Sequence, residues 1–576
     1  MGFSFHAVAT DYDGTLTQGG RPTDAVLAAL ARTRAAGRRV VLVTGRILAE
    51  LQRDFPDVEQ HFDALVLENG AVVRSALGHR RVVLGVSEAL DAALRDAGIA
   101  FRRGEAILAT QADAAGIALG AIAKLGLDAQ LVRNRSELMI TPSGVSKGTG
   151  VREALGDLGV SVHCAVAVGD AENDHALLDA CELGVAVGNA VDALKARADV
   201  VLAKPAGEGV MELLEGPILS GASTLRPRRW QVELGLGLDG APVHIPGSGA
   251  NLLVAGESGC GKSYMAGLIT ERLIGLGYSA CVIDPEGDYE ALGHLRGVMV
   301  VGGDSPLPTP GQLPAALRHR FGSLVVDLSH LPPESRAGYV NDALAELQRL
   351  REATGSPHWI VVDEAHVPFG EGAPTDPDLD LDEKGLCLVT YLPERLKPHV
   401  LSEMDLFLFP LPKSGRARPG LLAPAGVDVA PLVTPGRSAV LVDGRGSPPR
   451  TFHIAARHSV HVRHWHKYMH AQLPVHLHFL FRAPDNAVLC AAGNVSELHH
   501  DLLGVPGASV AHHAAQGDFS RWAAGSLQDR DLADALAKAE RSLGQGTEAV
   551  RHGLLEAIER RYLEAGPAAA PRPMAR

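Results

Sequence analysis

Long apolar runs are missing from this 576-residue chain: nothing approaches the ~18 residues that cross a bilayer, and the opening Met1-Gly2-Phe3-Ser4-Phe5-His6 has neither a basic region nor an apolar stretch. The expectation is a protein that is neither membrane-embedded nor secreted. Cysteine is sparse, six residues (Cys164, Cys181, Cys260, Cys281, Cys387 and Cys490) with no CxxC pair, which excludes a zinc ribbon and gives no disulfide framework. They fit a reduced, cytoplasmic setting. Positive charge is short too: 54 Lys and Arg stand against 67 Asp and Glu, a net −13. The balance is −7 over residues 1–225, −7 over 226–450 and +1 over 451–576. A protein gripping a nucleic-acid backbone carries a basic footprint, so nucleic acid is disfavoured as a partner.

What is present is an ordinary folded composition, 46% apolar and 21% charged, over a length that implies three or four domains at roughly 150 residues each. Only the Ala-, Gly- and Pro-rich residues 566–576 read as a disordered tail.

Near the start, the β-like run Ala7-Val8-Ala9-Thr10 delivers Asp11-Tyr12-Asp13-Gly14-Thr15-Leu16. Two carboxylates at i and i+2 past a strand make a concentrated acidic point at the carboxyl edge of a sheet, where open α/β sheets place their ligands. A helical stretch from Asp24 to Ala36 and a strand Arg39–Val43 ending in Thr44-Gly45-Arg46 complete a β-α-β unit. Further on, Ser143-Gly144-Val145-Ser146-Lys147-Gly148 precedes a helix, and Ala165–Val168 runs into Gly169-Asp170-Ala171-Glu172-Asn173-Asp174. In this order the four motifs resemble those of the haloacid dehalogenase superfamily of aspartate-nucleophile phosphatases, over residues 1–215.

The resemblance implies that Asp11 attacks phosphorus to form an aspartyl-phosphate and that Asp13 serves as general acid and then base. It gives Thr44 a hydrogen bond to the phosphoryl oxygens and Lys147 the neutralisation of their charge. It also implies Mg²⁺, held by Asp170 and Asp174 with Asp11 and the backbone carbonyl of Asp13. About 70 residues separate Glu68-Asn69-Gly70-Ala71 from Thr141. That insertion resembles the cap of the branch containing Cof-type, sugar-phosphate and phosphoglycolate phosphatases. The cap is expected over residues 72–142, with helices at Ser87–Ala97 and Ala112–Leu125 and strands at Arg81–Leu84 and Glu137–Ile140. A small phosphomonoester is the expected substrate.

A shift in composition over residues 216–229 marks a linker. Beyond it, strand-like Asn251–Ala255 leads into Gly256-Glu257-Ser258-Gly259-Cys260-Gly261-Lys262-Ser263 and then a helical stretch, Tyr264–Leu276. In such a loop the glycines let backbone N–H groups curl around the phosphates of ATP, Lys262 reaches the β and γ oxygens, and Ser263 ligates Mg²⁺. A second apolar strand, His358–Val362, ends in Asp363-Glu364-Ala365-His366. Asp363 is placed to organise Mg²⁺, and Glu364 to polarise a water for attack on the γ-phosphate. Together with Cys281–Tyr289 (CVIDPEGDY), Leu324–Leu328 and a closing strand Ala439–Val442, residues 230–455 resemble the HerA/FtsK superfamily, particularly its HerA and VirB4-like members. The resemblance implies ATP hydrolysis and a homo-oligomer. Two features depart from it. Strand Leu386–Val389 ends in Thr390-Tyr391 where family members often carry a sensor glutamine, and Asp376, Asp378, Asp380 and Asp382 make an acidic loop unsuited to a nucleic-acid track. ATP hydrolysis without DNA translocation is the expectation, with Arg395, Arg416 and Arg418 as candidate trans-acting arginines.

Residues 451–576 hold 13 of the 25 histidines. His466 and His470 share a helical face, but nothing one turn earlier extends the set, so a surface cluster is expected instead of a zinc site. Strands at Val475–Phe481 and Ala487–Ala492 and helices at Asp529–Leu543 and Glu548–Glu564 give residues 456–565 a small α+β fold, read as an interaction or oligomerisation module. The whole is an α/β protein: a Rossmann-like phosphatase core with an inserted α+β cap, a P-loop α/β ATPase domain and a small α+β C-terminal domain. The expected function is a bifunctional Mg²⁺-dependent phosphomonoesterase whose ATPase powers or regulates it. The alternatives are a nucleic-acid end-processing phosphatase/kinase, a DNA-acting motor, and an ATP-sensing assembly module.

Overall fold

The uncharged run before Asp11 folds as the strand Ala7–Asp11, buried along its whole length as parallel strands covered on both faces are. It is central in an eight-stranded sheet, hydrogen-bonded in parallel to Arg39–Val43 on one side and Ala165–Gly169 on the other. The computed structural model describes residues 5–563, apart from 135, 222, 224, 228, 258, 318–321, 374–376, 412–436, 445, 460–472, 474–476 and 528. Helices Asp24–Ala35 and Lys147–Asp157 begin at the side-chain caps Thr23 and Ser146, each of which accepts a backbone N–H of the first turn. Gly70 has φ +103° and packs so closely that a Cβ would lie 1.9 Å from the Ser146 carbonyl oxygen. Only glycine permits that approach, and it sets the start of the Lys147 helix against the 68–70 turn.

The cap boundary expected at residue 72 is corrected by the sheet. Val72–Ser75 pairs antiparallel with Ala64–Leu67, and Gly78–Arg81 pairs with Val72–Ser75, so both strands extend the core. The physical reason is that Val72 and Val73 are fully buried on the edge that Ala64–Leu67 leaves open. The expected strand at Arg81–Leu84 is instead this edge strand, ending at Arg81. The cap proper is a four-stranded antiparallel sheet in the order Arg102–Arg103, Leu108–Gln111, Glu137–Pro142, Ala129–Asn134, with helices Glu88–Asp96 and Ala115–Leu125. It has its own core around Leu90, Leu94, Leu108 and Ile140.

Residues from Gln231 to Ile454 form an eleven-stranded sheet. Strand Leu252–Ala255, ahead of the glycine-rich loop, lies between Leu406–Pro410 and Leu386–Thr390, and the latter pairs in turn with Trp359–Val362. Four antiparallel strands at one edge include the closing strand Ser438–Asp443. The C-terminal part is a hairpin, Phe479–Arg482 with Val488–Ala492, packed on helices around Phe479, Phe481, Phe519 and Trp522. Three of these helices, Val495–Gly504, Gly507–Gln516 and Asp518–Gly525, stand where no element was expected. Their starts are nonetheless written locally: the Asn494 side chain accepts from Glu497 N, Pro506 precedes the second, and Gly517 at φ +69° separates the second from the third.

The first two domains meet through a buried polar cluster. Glu182, fully buried, receives the Tyr278 hydroxyl at 2.9 and 3.0 Å and the Ser248 hydroxyl, and its carboxylate lies 2.7 Å from His163 Nδ1. Burial and the Glu182 carboxylate push the Tyr278 hydroxyl well above its usual range, so it stays a donor. His163 Nε2 lies 3.1 Å from the carbonyl oxygen of Leu276, the residue that ends helix Lys262–Gly275. The last residues of the expected linker are tied to both domains, since Arg229 donates to Asp199 of the first and Arg226 donates to Asp405 of the second. Among the described residues no helix is long and apolar enough to cross a membrane.

Candidate active sites

Asp11, Thr44 and Asp170 stand at the carboxyl ends of three neighbouring parallel strands, the edge where open α/β sheets place their ligands. Asp11, Asp170 and Asp174 each offer an oxygen within 4.8 Å of the others, and all three are buried. Lys147, 1% exposed, bridges two of them, donating to Asp11 at 2.5 Å and Asp174 at 2.6 Å. Burial and the neighbouring Asp174 carboxylate push Asp11 above the usual carboxylate range, against the pull of Lys147. For Lys147 burial acts downward, and the Asp11 and Asp174 charges outweigh it, so the ammonium is held protonated. One cation thus faces three carboxylates, and hard oxygen donors at this spacing suit a small divalent ion. Asp174 also accepts the backbone N–H groups of Asp170 and Ala171, which fixes the turn, and Thr15 donates to Asp170 at 3.0 Å. Asn173 lies at the rim, its amide nitrogen 3.4 Å from Asn69 Oδ1.

Asp13 stands outside this cluster, partly exposed and gripped by Arg46, which donates from Nε and Nη2 to its two oxygens at 2.7 Å each. Arg46 also pairs with Asp54 and stands over the Tyr12 ring. Arg46 closes the strand end Thr44-Gly45-Arg46, and its place directly after Thr44-Gly45 is the only local signal of its part in the site. A second unforeseen residue is Glu68, buried at φ +52°, whose carboxylate accepts N–H groups from Glu105, Ala106 and Ile107 and so ties the core to the cap. On the cap side Met139 overhangs the Thr44–Gly45 turn, its sulfur 2.9 Å from where a Gly45 Cβ would stand. Replacing Arg46 with Ala frees Asp13 from a fixed fork. We expect kcat to fall by about 10²-fold with KM little changed, measured by steady-state phosphate release; an unchanged kcat would show that Asp13 is oriented without it.

In the second domain Gly261 has φ +104° at the start of helix Lys262–Gly275. Lys262 donates to the Glu257 carbonyl at 3.0 Å, closing the loop on itself, and Gly256, Glu257, Gly259 and Cys260 complete the loop; Ser258 lies outside the described residues. The structure brings Ser263 and Asp363 together at 3.3 Å. Asp363 is raised to about 6, by burial first and then by Asp288, and it receives the hydroxyl of buried Tyr289 at 3.0 Å. That tyrosine ends the DPEGDY stretch, whose Asp284 carboxylate accepts four consecutive N–H groups from Glu286 to Tyr289. Glu364 follows Asp363 at φ +51°, a left-handed conformation rare outside glycine. Arg395 is exposed on a short 3-10 helix, while Arg416, Arg418, Asp376 and the His461–His470 segment lie outside the described residues, as does the tail.

A buried acidic cluster at the carboxyl ends of adjacent parallel strands, with a buried lysine beside it and an inserted cap, defines a capped Rossmann-like α/β domain. The chain belongs, through its first domain, to the haloacid dehalogenase-like hydrolases, whose family pattern matches residues 8–83 and 126–214. The unmatched stretch between them holds most of the cap. Over 224 residues the chain is 31% identical to a phosphoglycolate phosphatase of Archaeoglobus fulgidus, covering 37% of this chain and 97% of that protein. Phosphoglycolate phosphatase 2 of Saccharolobus solfataricus is 32% identical over 235 residues, covering 37% and 92%. A haloacid dehalogenase-like hydrolase from B. subtilis, of known structure, is similar at 19% identity and a TM-score of 0.30, covering 36% of this chain and 99% of that one. Residues 249–352 match the central domain of helicase HerA, and residues 489–573 match a family of unknown function.

Proposed function

We propose that the first domain is a phosphomonoesterase acting through Asp11, and that the second binds and hydrolyses ATP and sets the activity of the first. The observation that carries the phosphatase reading is the buried Asp11–Lys147–Asp174 bridge with Asp170 beside it. Asp11 attacks phosphorus, Asp13 protonates the departing alkoxide oxygen, and the ester P–O bond breaks to leave an aspartyl-phosphate. Asp13 then takes a proton from the water that releases phosphate and restores the carboxylate. Lys147 and the Thr44 hydroxyl meet the equatorial oxygens. Asp11, Asp170, Asp174 and the Asp13 carbonyl would hold a Mg²⁺ ion, which when bound would supply the neutralisation that lets a carboxylate meet an anion. The substrate is a small phosphomonoester, with phosphoglycolate the first to try given the relatives' names. The ATP reading is supported by the match to the HerA central domain and by Ser263 and Asp363 standing 3.3 Å apart, where they would hold a second Mg²⁺. Free, mostly buried cysteines support a cytoplasmic, reducing setting. Assembly through the P-loop domain belongs to the same reading.

The test is phosphate release from a panel of small esters and 3′-phosphorylated DNA, with and without Mg²⁺ and ATP. Turnover of a small ester that needs Mg²⁺ and shifts with ATP is the expected result. Lys262→Ala should remove ATP hydrolysis and the ATP response while leaving basal ester turnover intact. Activity confined to the DNA end, or an ATP response that survives in Lys262→Ala, would overturn the reading.

A further inference from the structure

The strand end that departs from the HerA-like pattern, Thr390-Tyr391, is met in three dimensions by a residue from the turn after the neighbouring strand Trp359–Val362. We infer that His366 is a positioning residue of the nucleotide site, holding the Glu364 carboxylate and linking it to Thr390 and Tyr391 at the neighbouring strand end. The inference rests on the reading of this domain as an ATPase.

His366 Nδ1 makes a hydrogen-bond contact with Thr390 Oγ1 at 3.2 Å and stands 3.3 Å from Glu364 Oε2, an ion-pair approach without hydrogen-bond geometry. The Thr390 hydroxyl also accepts the Leu392 N–H at 3.0 Å, which fixes the oxygen while leaving its hydrogen free to point at the ring. Two arrangements follow. A hydrogen on Nδ1 puts the ring's positive edge at ion-pair distance from Glu364 and draws the carboxylate; a bare Nδ1 accepts from Thr390 and releases it. Thr390 ends the single strand that separates the P-loop strand from Trp359–Val362, and it is paired directly with Ala255. The His366 ring meets Tyr391 edge-on at 4.9 Å, and the Lys262 ammonium lies 5.8 Å from the centre of that same tyrosine ring. A continuous set of contacts therefore runs from the P-loop lysine through Tyr391 and His366 to Glu364. At the far end the backbone is held at φ +51°, and such strain persists where the surroundings over-determine it.

In the reaction, water oxygen bonds to the γ-phosphorus, the β–γ bridging P–O bond breaks with its electron pair going to ADP, and the water proton passes to Glu364. His366 makes and breaks none of these bonds and acts only through the Glu364 carboxylate. It fixes where the carboxylate stands when water arrives, the task a sensor side chain performs.

The experiment uses the full chain, with ester hydrolysis at the Asp11 site as an internal measure of folding. ATP turnover and ATP binding are measured separately, binding by equilibrium dialysis of radiolabelled ATP in the cold. For His366→Ala we expect kcat for ATP to fall by about 10- to 100-fold while the ATP dissociation constant stays within about twofold. His366→Asn, whose amide nitrogen reaches the Nδ1 position, should recover a large part of the loss, and Thr390→Val should fall in the same direction. Should His366→Ala lose ester hydrolysis too, His366→Asn and Thr390→Val carry the test. Wild-type kcat in His366→Ala, or equal loss of binding and turnover in all three variants, overturns the inference. A wild-type protein that binds ATP and never hydrolyses it overturns the ATPase reading and this inference with it.

Discussion

Asp11→Asn abolishes ester hydrolysis: the expected loss is on the order of 10⁴-fold or more, because an amide cannot form the acyl-phosphate and removal of a nucleophile forfeits the covalent route. The fold should tolerate the change. Asn preserves the shape of a side chain that is almost wholly buried, and Lys147 keeps Asp174 as a partner at 2.6 Å. Without a divalent ion the site places three buried carboxylates around one ammonium, so removing one negative charge relieves repulsion. In the presence of a chelator the variant should therefore melt no lower than the wild type. Mg²⁺ should raise the melting temperature of the wild type, and that rise should shrink in Asp11→Asn, since a ligand stabilises only the fold that binds it. A variant retaining more than about a hundredth of wild-type turnover would remove Asp11 from the nucleophile's role. A melting temperature unaffected by Mg²⁺ in both proteins would remove the ion from the site.

The largest expected effect on stability lies at the domain junction, in Glu182→Ala. The carboxylate serves Tyr278, Ser248 and His163 at once, and all of these side chains are buried. Deleting it strands three buried polar groups, a loss of about 3–5 kcal/mol. Glu182→Gln keeps an acceptor oxygen and should cost about 1–2 kcal/mol. Two domains that share this cluster should unfold together in urea, and Glu182→Ala should split the transition into two. The same variant should weaken any ATP effect on ester hydrolysis. The reason is geometric: His163 touches the Leu276 carbonyl at the end of the P-loop helix, and it lies between helix Lys147–Asp157 and strand Ala165–Gly169, which carry Lys147 and lead to Asp170. An unsplit transition with unchanged midpoint would show that the junction is held elsewhere.

Both sites were legible in the sequence because their chemistry is local. A strand that ends in Asp11-Tyr12-Asp13, or a glycine-rich turn that ends in Lys262-Ser263, places its functional groups by backbone geometry within a few residues, so type and spacing suffice to identify them. Asp170 and Asp174 are fixed by one another's turn, the side chain of the second capping the backbone of the first. The helices between Val495 and Gly525 also had local start signals, at Asn494, Pro506 and Gly517, and were missed because histidine and glycine dilute their apolar periodicity.

The sequence by itself determined the two candidate sites, their order along the chain and the α/β character that places each at strand ends. Tertiary structure alone decided that Val72–Ser75 and Gly78–Arg81 belong to the core, because burying Val72 and Val73 against an open sheet edge depends on a partner strand and not on their own pattern. It likewise decided that Arg46 grips Asp13, that His366 stands between Glu364 and Thr390, and that Glu182 binds the two domains together. A buried polar group must find its partner wherever the fold brings one, and for these residues the partner lies on another strand or in another domain, where no local signal announces it.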